Sequence, residues 1–224
     1  MNKPRAGITR EGRNAPLVRI KRIEQDFPLD DFSNCDWAKA ESIRVTTNWD
    51  ASSAGIGREF CARLLYSGTG IYALFDASQT EELVITDNPI TCEKSIGLWE
   101  RDVFEIFLAP ERSAPEKYFE FEVSPLAEWL DLALEIRSGE RISNWNYHSG
   151  MKTASRIERS RVLAAVFIPF AAFPVVPKSG DIWRGNVFRC IGREPGRGYL
   201  AWQPTLTPEP SFHVPERFGY LEFE

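Results

Sequence analysis

Carboxylates and large aromatic side chains alternate with apolar residues along one stretch of this chain, from Trp99 to Glu135. The stretch contains three short runs: WERDVFEIFLAP, KYFEFEVSP and EWLDLALE. Successive side chains of a strand point to opposite faces, so each run predicts a strand with one apolar face and one acidic, aromatic face. Carboxylates accept hydrogen bonds from hydroxyls, and aromatic rings offer flat apolar plates. Together they supply the chemistry that a sugar-binding surface needs.

We expect the three strands to be neighbours whose faces are in phase. The expected apolar face carries Phe104, Ile106, Leu108, Phe119, Phe121, Val123, Leu130, Leu132 and Leu134. The expected acidic face carries Glu105, Tyr118, Glu120, Glu122, Trp129, Asp131 and Glu135. Like charges opposite each other across strands are destabilising, so this face calls for compensation. Compensation could come from a bound sugar, from a cation or from one of four arginines: Arg101, Arg137, Arg189 and Arg193. Ca²⁺ takes such oxygens readily.

The rest of the chain reads as further short strands separated by turn signals. EFCARLLY and IYALFD predict a hairpin around a turn at residues 67–70, and DIWRGNVFRCI predicts a late strand. Many short strands with only a few short helical turns predict an all-β fold, a single antiparallel β-sandwich. Residues 1–22 are expected to form a lead-in arm, and residues 23–224 one domain.

Composition excludes several classes of function. The 224 residues carry a net charge of −5, which argues against nucleic acid as a partner. No run approaches the roughly 20 apolar residues that span a bilayer, so no membrane partner is expected. The N-terminus has no apolar signal region, which predicts a cytoplasmic protein unless a leader has been removed. The four cysteines are scattered and form no CxxC pair. If the protein is exported, they could form two disulfides. We expect a monomer.

Five segments, in this order, resemble family 9 carbohydrate-binding modules. They are LDDFSNCDWAKA, LWERDVFEIFLAP, KYFEFEVSPLAEWLD, DIWRGNVFRC and SFHVPERFGYLEF, and the resemblance covers residues 26–224. The broader relatives of this family are DOMON-like sandwiches, which bind sugars or haem.

The resemblance implies a jelly-roll-like β-sandwich that binds the end of a saccharide without catalysis. In that family two tryptophans clamp the sugar ring, and the best matches here are Trp99 and Trp202. Glu105 matches the acid that contacts the sugar, and structural Ca²⁺ is common in the family. The remaining candidate ligand-binding residues are Tyr118, Glu120, Trp129, Arg101 and Arg193. Trp145, in the segment SNWNYHSG, stays undecided.

Two other functions remain open at this point. A glycan hydrolase would need two carboxyl groups about 5–9.5 Å apart, and Glu105 could pair with Glu120 or Asp131. A haem protein would need axial ligands, but His148 and Met151 lie three residues apart and could hardly reach opposite faces of a haem. The sequence carries no GxSxG, HExxH, P-loop or GxGxxG motif.

Overall fold

The structure is a computed structural model that describes residues 15–224. Its thirteen strands are β1 Leu17–Arg22, β2 Ser42–Val45, β3 Phe60–Tyr66, β4 Gly70–Ser78, β5 Val103–Ala109, β6 Lys117–Val123, β7 Trp129–Arg137, β8 Glu140–Asn144, β9 Lys152–Glu158, β10 Arg161–Pro169, β11 Ile182–Ile191, β12 Gly198–Ala201 and β13 Gly219–Phe223. Four short 3₁₀ turns lie between them, at Cys35–Lys39, Leu98–Glu100, Phe170–Ala172 and Pro215–Arg217. The all-β prediction is confirmed.

All thirteen strands belong to one continuous sheet. The strand order is β8-β7-β6-β5-β11-β13-β1-β3-β4-β10-β9, with β12 beside β11 and β2 beside β3. Pairing is antiparallel except at β1, which runs parallel to both β13 and β3. Leu17–Ile20 pair with β13 while Lys21 and Arg22 pair with β3, so β1 joins the two halves of the sheet.

The sheet curls into a half-barrel, and its two halves pack over a shared apolar core, which we call the inner cluster. Its members include Phe104, Ile106, Phe121, Val123 and Val187 from one half, and Ala62, Leu64, Phe75, Ala164 and Val166 from the other. The outer cluster covers the opposite face of β5, β6, β7 and β11. It includes Leu98, Val103, Phe107, Tyr118, Leu130, Leu132, Leu134, Phe188, Cys190, Phe212 and Phe218. A jelly-roll sandwich stays a prediction.

The two faces of β7 are exchanged relative to the expectation from the sequence. Glu120 pairs with Leu132, and Phe121 pairs with Asp131. Directly paired residues project to the same face of a sheet. The leucines of β7 therefore join Glu120 in the outer cluster, whereas Asp131 lies on the inner face. A shift of one residue in register exchanges the two faces of a strand, and the pattern within β7 does not fix that register.

The lead-in arm requires a correction where the structure describes it. Residues 1–14 lie outside the described part of the chain, but Leu17–Arg22 form a strand within the sheet. Val18 and Ile20 are buried, and the basic residues between them hid this alternation. Arg19 pairs with Glu222 and Glu224, which explains how a basic strand is accommodated beside β13. Within residues 15–224, no helix has the length and apolar character needed to cross a membrane.

Candidate functional site

A pocket of about 290 Å³ opens over the outer cluster. Strands β5, β6, β7 and β11 form its floor. Its walls are formed by β8, β12, the turn Leu98–Glu100 and the loops that follow β8 and β12. Its lining residues are Trp99, Glu105, Glu120, Leu132, Leu134, Arg141, Ser143, Trp145, Cys190, Tyr199, Pro210, Ser211, Phe212 and His213. The volume lies just below the roughly 300–1,000 Å³ of pockets for drug-sized ligands, which suits a small ligand.

Trp99 stands on the 3₁₀ turn Leu98–Glu100, directly before β5. Leu98 is fully buried in the outer cluster and anchors this turn. The guanidinium of Arg197 closes it from the other side by donating to the carbonyls of Trp99 at 2.8 Å, Glu100 at 2.6 Å and Arg101 at 2.8 Å. The backbone of Trp99 is thus fixed by an apolar anchor and by a charged donor.

Trp145 lies in the loop that follows β8. Asn144 begins this loop with an Asx turn, because its side-chain oxygen accepts a hydrogen bond from the Asn146 amide at 3.1 Å. Beneath the loop, Lys94 forms a buried ion pair with Asp131 at 2.6 Å and donates to the Trp145 carbonyl at 3.4 Å. A buried residue of β7 and a residue of the long loop before β5 therefore support the backbone of Trp145.

The two tryptophan rings form one aromatic wall. Their centroids are 6.2 Å apart and their planes are inclined at 50°. Trp99 is 38 % exposed and Trp145 is 46 % exposed, so both offer ring surface to a ligand. A sugar ring between two parallel aromatic faces needs a separation of about 7–8 Å, twice the carbon–carbon contact distance of about 3.5–4.0 Å. In this arrangement the pair is a platform on one side of the pocket.

Three buried carboxyl groups lie together at the floor of the pocket; we call them the carboxyl triad. Glu105 on β5 is directly opposite Glu122 on β6, and Glu120 is the next residue on the same face of β6. Burial raises the pKa of all three. The charge of Glu120 raises the pKa of Glu105 further, and both neighbours raise that of Glu122. Cys190 donates a weak hydrogen bond to Glu105 at 3.7 Å.

His213 forms the pocket wall next to Arg141. Its Nδ1 lies 2.9 Å from the Tyr118 hydroxyl, within hydrogen-bond distance. Burial, with a smaller contribution from the charge of Arg141, lowers the pKa of His213 to about 3. The imidazole is therefore neutral near pH 7, and Tyr118 orients it from beneath.

The structure brings three of the sequence-predicted residues together in the pocket: Trp99, Glu105 and Glu120. Tyr118 is buried one layer below and reaches the pocket only through His213. Trp129 follows the inverted phase of β7 to the inner face, where its indole donates to the Thr91 carbonyl at 2.9 Å.

Trp202 does not line this pocket, which corrects the expected pairing with Trp99. It packs half-buried against the inner cluster. A Cβ atom on Gly219 would come within 2.4 Å of the Trp202 ring, so the glycine makes room for the indole. Trp145, left undecided by the sequence, stands where a second tryptophan was expected.

The two predicted arginines also lie elsewhere. Arg101 forms an ion pair with the buried carboxylate of Glu128 at 3.1 Å. Arg193 is exposed in the loop after β11 and does not line the pocket. Sequence reasoning missed Arg197, which lies in the same GREPGRG segment. Nothing in that segment distinguishes the arginine that binds three carbonyls from the one that faces solvent.

Of the two carboxyl pairs considered for a glycan hydrolase, the structure separates Glu105 from Asp131. Asp131 lies on the inner face, where it binds Lys94 and accepts a hydrogen bond from the Ser149 amide at 2.6 Å. Glu105 and Glu120 remain neighbours, but the pKa is raised in both. A glycosidase pairs a protonated acid with an ionised carboxylate, and this requires environments that push the two pKa values apart.

The chain matches the model of one protein family, described as carbohydrate-binding family 9, over residues 74–223. No curated protein gives a significant match. Among solved structures, the chain is similar to a candidate carbohydrate-binding protein from Bacteroides uniformis ATCC 8492. The TM-score is 0.74 at 20% identity, covering 94% of this chain and 100% of the other.

Two further similar structures are of a family 9 carbohydrate-binding module from Caldicellulosiruptor kristjanssonii. The complex of that module with cellotriose has a TM-score of 0.66 at 11% identity, covering 93% of this chain and 94% of the other. Its complex with glucose has a TM-score of 0.64 at 12% identity, covering 92% and 95%. At such identities the likeness establishes a shared fold.

Proposed function

This chain belongs to carbohydrate-binding family 9, and from that premise we propose that its pocket binds one sugar ring, such as the end unit of a saccharide. The family resemblance read from the sequence is confirmed by the match over residues 74–223, which includes four of the five segments; LDDFSNCDWAKA lies before it. One observation carries the proposal: two half-exposed tryptophans, Trp99 and Trp145, stand beside the buried carboxyls Glu105 and Glu120 in the same small pocket.

Stacking on the aromatic platform supplies the apolar part of the binding energy. Sugar rings have an apolar face of C–H groups that suits the flat indoles of Trp99 and Trp145. Covering about 50–80 Å² of apolar surface contributes about 1–2 kcal/mol, at about 25 cal/mol per Å². The volume of about 290 Å³ favours a single ring over a segment of polymer.

Hydrogen bonds to the hydroxyl groups supply orientation and the rest of the affinity. Glu105 and Glu120 offer oxygens at the floor, and Arg141, Ser143 and Ser211 offer donors along the walls. Each net hydrogen bond contributes about 1 kcal/mol. Three or four of them plus stacking give about −4 to −6 kcal/mol, so we expect dissociation constants between about 1 mM and about 40 μM.

The test is a sugar screen read by calorimetry, starting with glucose and cellotriose, the ligands of the Caldicellulosiruptor module. We expect Trp99→Ala and Trp145→Ala to weaken binding of the best ligand at least tenfold while leaving the melting temperature nearly unchanged. Trp202→Phe is the matched control, because it alters a tryptophan outside the pocket and should keep wild-type affinity. Wild-type binding by Trp145→Ala, or loss confined to Trp202→Phe, would refute the platform.

A further inference from the structure

Three residues of β8 and the loop after it line one wall of the pocket: Arg141, Ser143 and Trp145. Arg141 is paired with Ile136 of β7, which packs against the outer cluster. Ser143 is paired with Leu134, a member of the same cluster. Directly paired residues project to the same face, and successive residues on one face of a strand are about 7 Å apart. A ring stacked on Trp145 therefore has a hydroxyl and then a guanidinium along one edge.

The guanidinium of Arg141 is available to a ligand. Within residues 15–224 it takes part in no hydrogen bond or ion pair, and the residue is exposed at the rim. The two neighbouring arginines are already bound, Arg101 to the carboxylate of Glu128 and Arg197 to backbone carbonyls. Among the residues that line the pocket, Arg141 is thus the one with a permanent positive charge.

The floor of the pocket does not cancel this charge. Glu105, Glu120 and Glu122 are buried, and burial raises the pKa of all three. Glu120 and Glu122 also share a hydrogen bond, which requires a proton on one of the two carboxyls. Carboxyl groups this close cannot all ionise. His213 is neutral near pH 7, so the pocket attracts anions although the whole chain carries a net charge of −5.

We propose that the pocket selects a sugar that carries a carboxylate, a hexuronic acid, and that Arg141 binds this carboxylate. The proposal rests on the proposed function and names the ligand class of the same pocket. A guanidinium presents parallel N–H donors that match the two oxygens of a carboxylate, and such charge-assisted pairs are stronger than neutral hydrogen bonds.

The size of the pocket favours a carboxylate over other anionic substituents. In a hexuronic acid the carboxylate replaces the CH₂OH group, so the molecule is larger than the hexose by a single oxygen atom. It fits the same volume of about 290 Å³. A phosphate or sulfate ester adds a tetrahedral group beyond the ring, for which a pocket of this size has little room.

The first experiment compares matched sugars by calorimetry near neutral pH. The pairs are glucuronic acid with glucose, galacturonic acid with galactose, and mannuronic acid with mannose. For the pair with the preferred ring configuration, we expect the acid to bind about tenfold more tightly. Its methyl ester, which has no charge, should bind like the hexose, and added NaCl should reduce the preference because Arg141 is exposed. If no acid binds more tightly than its hexose, the proposal is overturned.

Arg141→Gln tests which residue recognises the carboxylate. The side chain is exposed and has no partner, so the variant should keep the wild-type melting temperature. The ratio of acid to hexose affinity should fall to about one, and Arg141→Lys, which keeps the charge without the fork, should retain part of it. Arg137→Gln is the matched control, because Arg137 lies in the same hairpin, pairs with Glu135 and does not line the pocket. A preference that survives in Arg141→Gln, or that disappears equally in both glutamine variants, would overturn the assignment.

Failure of this proposal and failure of the proposed function give different results. If hexoses bind at least as tightly as their acids and lose affinity in Trp145→Ala, the ligand class is overturned and the function upheld. If no sugar of either kind binds, both are overturned. Tighter binding of glucose 6-phosphate than of glucuronic acid would overturn the carboxylate as the recognised group.

Discussion

Replacing Arg197 by methionine tests whether the turn beneath Trp99 controls sugar affinity. Methionine keeps much of the aliphatic stem but removes the hydrogen bonds to the carbonyls of Trp99, Glu100 and Arg101. A hydrogen bond to a charged group contributes about 1.5–3 kcal/mol. Because Arg197 is only half-buried, water replaces part of each bond in the variant, and we assign about 1 kcal/mol to each. The total stabilisation of the turn is then about 3 kcal/mol.

The effect on affinity follows from the population of the binding-competent turn. The apparent Kd rises in proportion as that population falls. Since about 1.4 kcal/mol is a factor of ten, the loss of about 3 kcal/mol sets an upper limit of about 100-fold. Leu98 still anchors the turn in the outer cluster, so the Arg197→Met variant should bind about tenfold more weakly. Arg197→Lys, which keeps the charge but satisfies fewer carbonyls, should lie between the variant and the wild type.

The assay is calorimetric titration with the best sugar from the screen, alongside a melting curve. Arg193→Met is the matched control, because it removes the same charge from an exposed position in the same loop. Arg193→Met should bind like the wild type. The reasoning fails if Arg197→Met binds sugar with wild-type affinity while Trp99→Ala does not bind it. The turn would then keep its conformation without the hydrogen bonds from Arg197. An equal loss in both methionine variants would show that charge, not positioning, controls affinity.

Three further predictions concern stability, each read from urea unfolding. Arg189→Met should lower the free energy of unfolding by about 3 kcal/mol. The substitution removes a buried guanidinium that donates to the carbonyls of Arg58 and Ser78 at 2.8 Å. A decrease of less than half of this value would contradict the structural role of Arg189. Gly219→Ala should cost about 1–3 kcal/mol, because its Cβ collides with the Trp202 ring, and it should leave sugar affinity unchanged; full stability would show that the indole moves freely. His213 has a pKa of about 3 in the folded protein, below its ordinary 6.5, so only the unfolded state takes up its proton between these values. As pH falls from 6.5 towards 3, the wild type should therefore lose stability relative to His213→Gln, by up to about 1.4 kcal/mol per pH unit; parallel pH curves would refute the buried neutral imidazole.

The sequence predicts the strands of this fold well because their signal is local. The hairpin of β3 and β4 and the alternation of β5 and β6 depend on neighbouring residues, and both are present in the structure. Glu105 and Glu120 came together for the same reason: both lie on strands adjacent in sequence, and their shared face follows from the pairing of Phe104 with Val123.

The phase of β7 could not be predicted because a turn decides it. Five residues separate Val123 from its partner Trp129, and one of them, Ala127, has a positive φ of 62°. Alanine is not a residue that signals this backbone conformation. A turn shorter or longer by one residue would shift the register and exchange the faces of Leu132 and Asp131.

The sequence also could not predict which residues of distant loops reach the site. Trp145 and Arg197 reach the site through the hairpin of β7 and β8 and through the loop after β11. Local alternation cannot reveal such contacts, since they depend on how the whole sheet curls. The same holds for Trp202, whose loop position suggested a binding role although the ring packs on Gly219.

The inverted phase of β7 changes what the acidic face means. If β7 had the expected phase, Asp131 and Glu135 would lie on the same face as Glu120, and the carboxylates would form an ordinary solvated, charged surface. Instead Leu130, Leu132 and Leu134 pack beside the triad, so three carboxyls lie in an apolar wall and their pKa values rise. The raised pKa values favour the protonated, uncharged form of these carboxyls, which lowers the cost of burying them. Strongly perturbed groups gathered in one pocket are characteristic of functional sites.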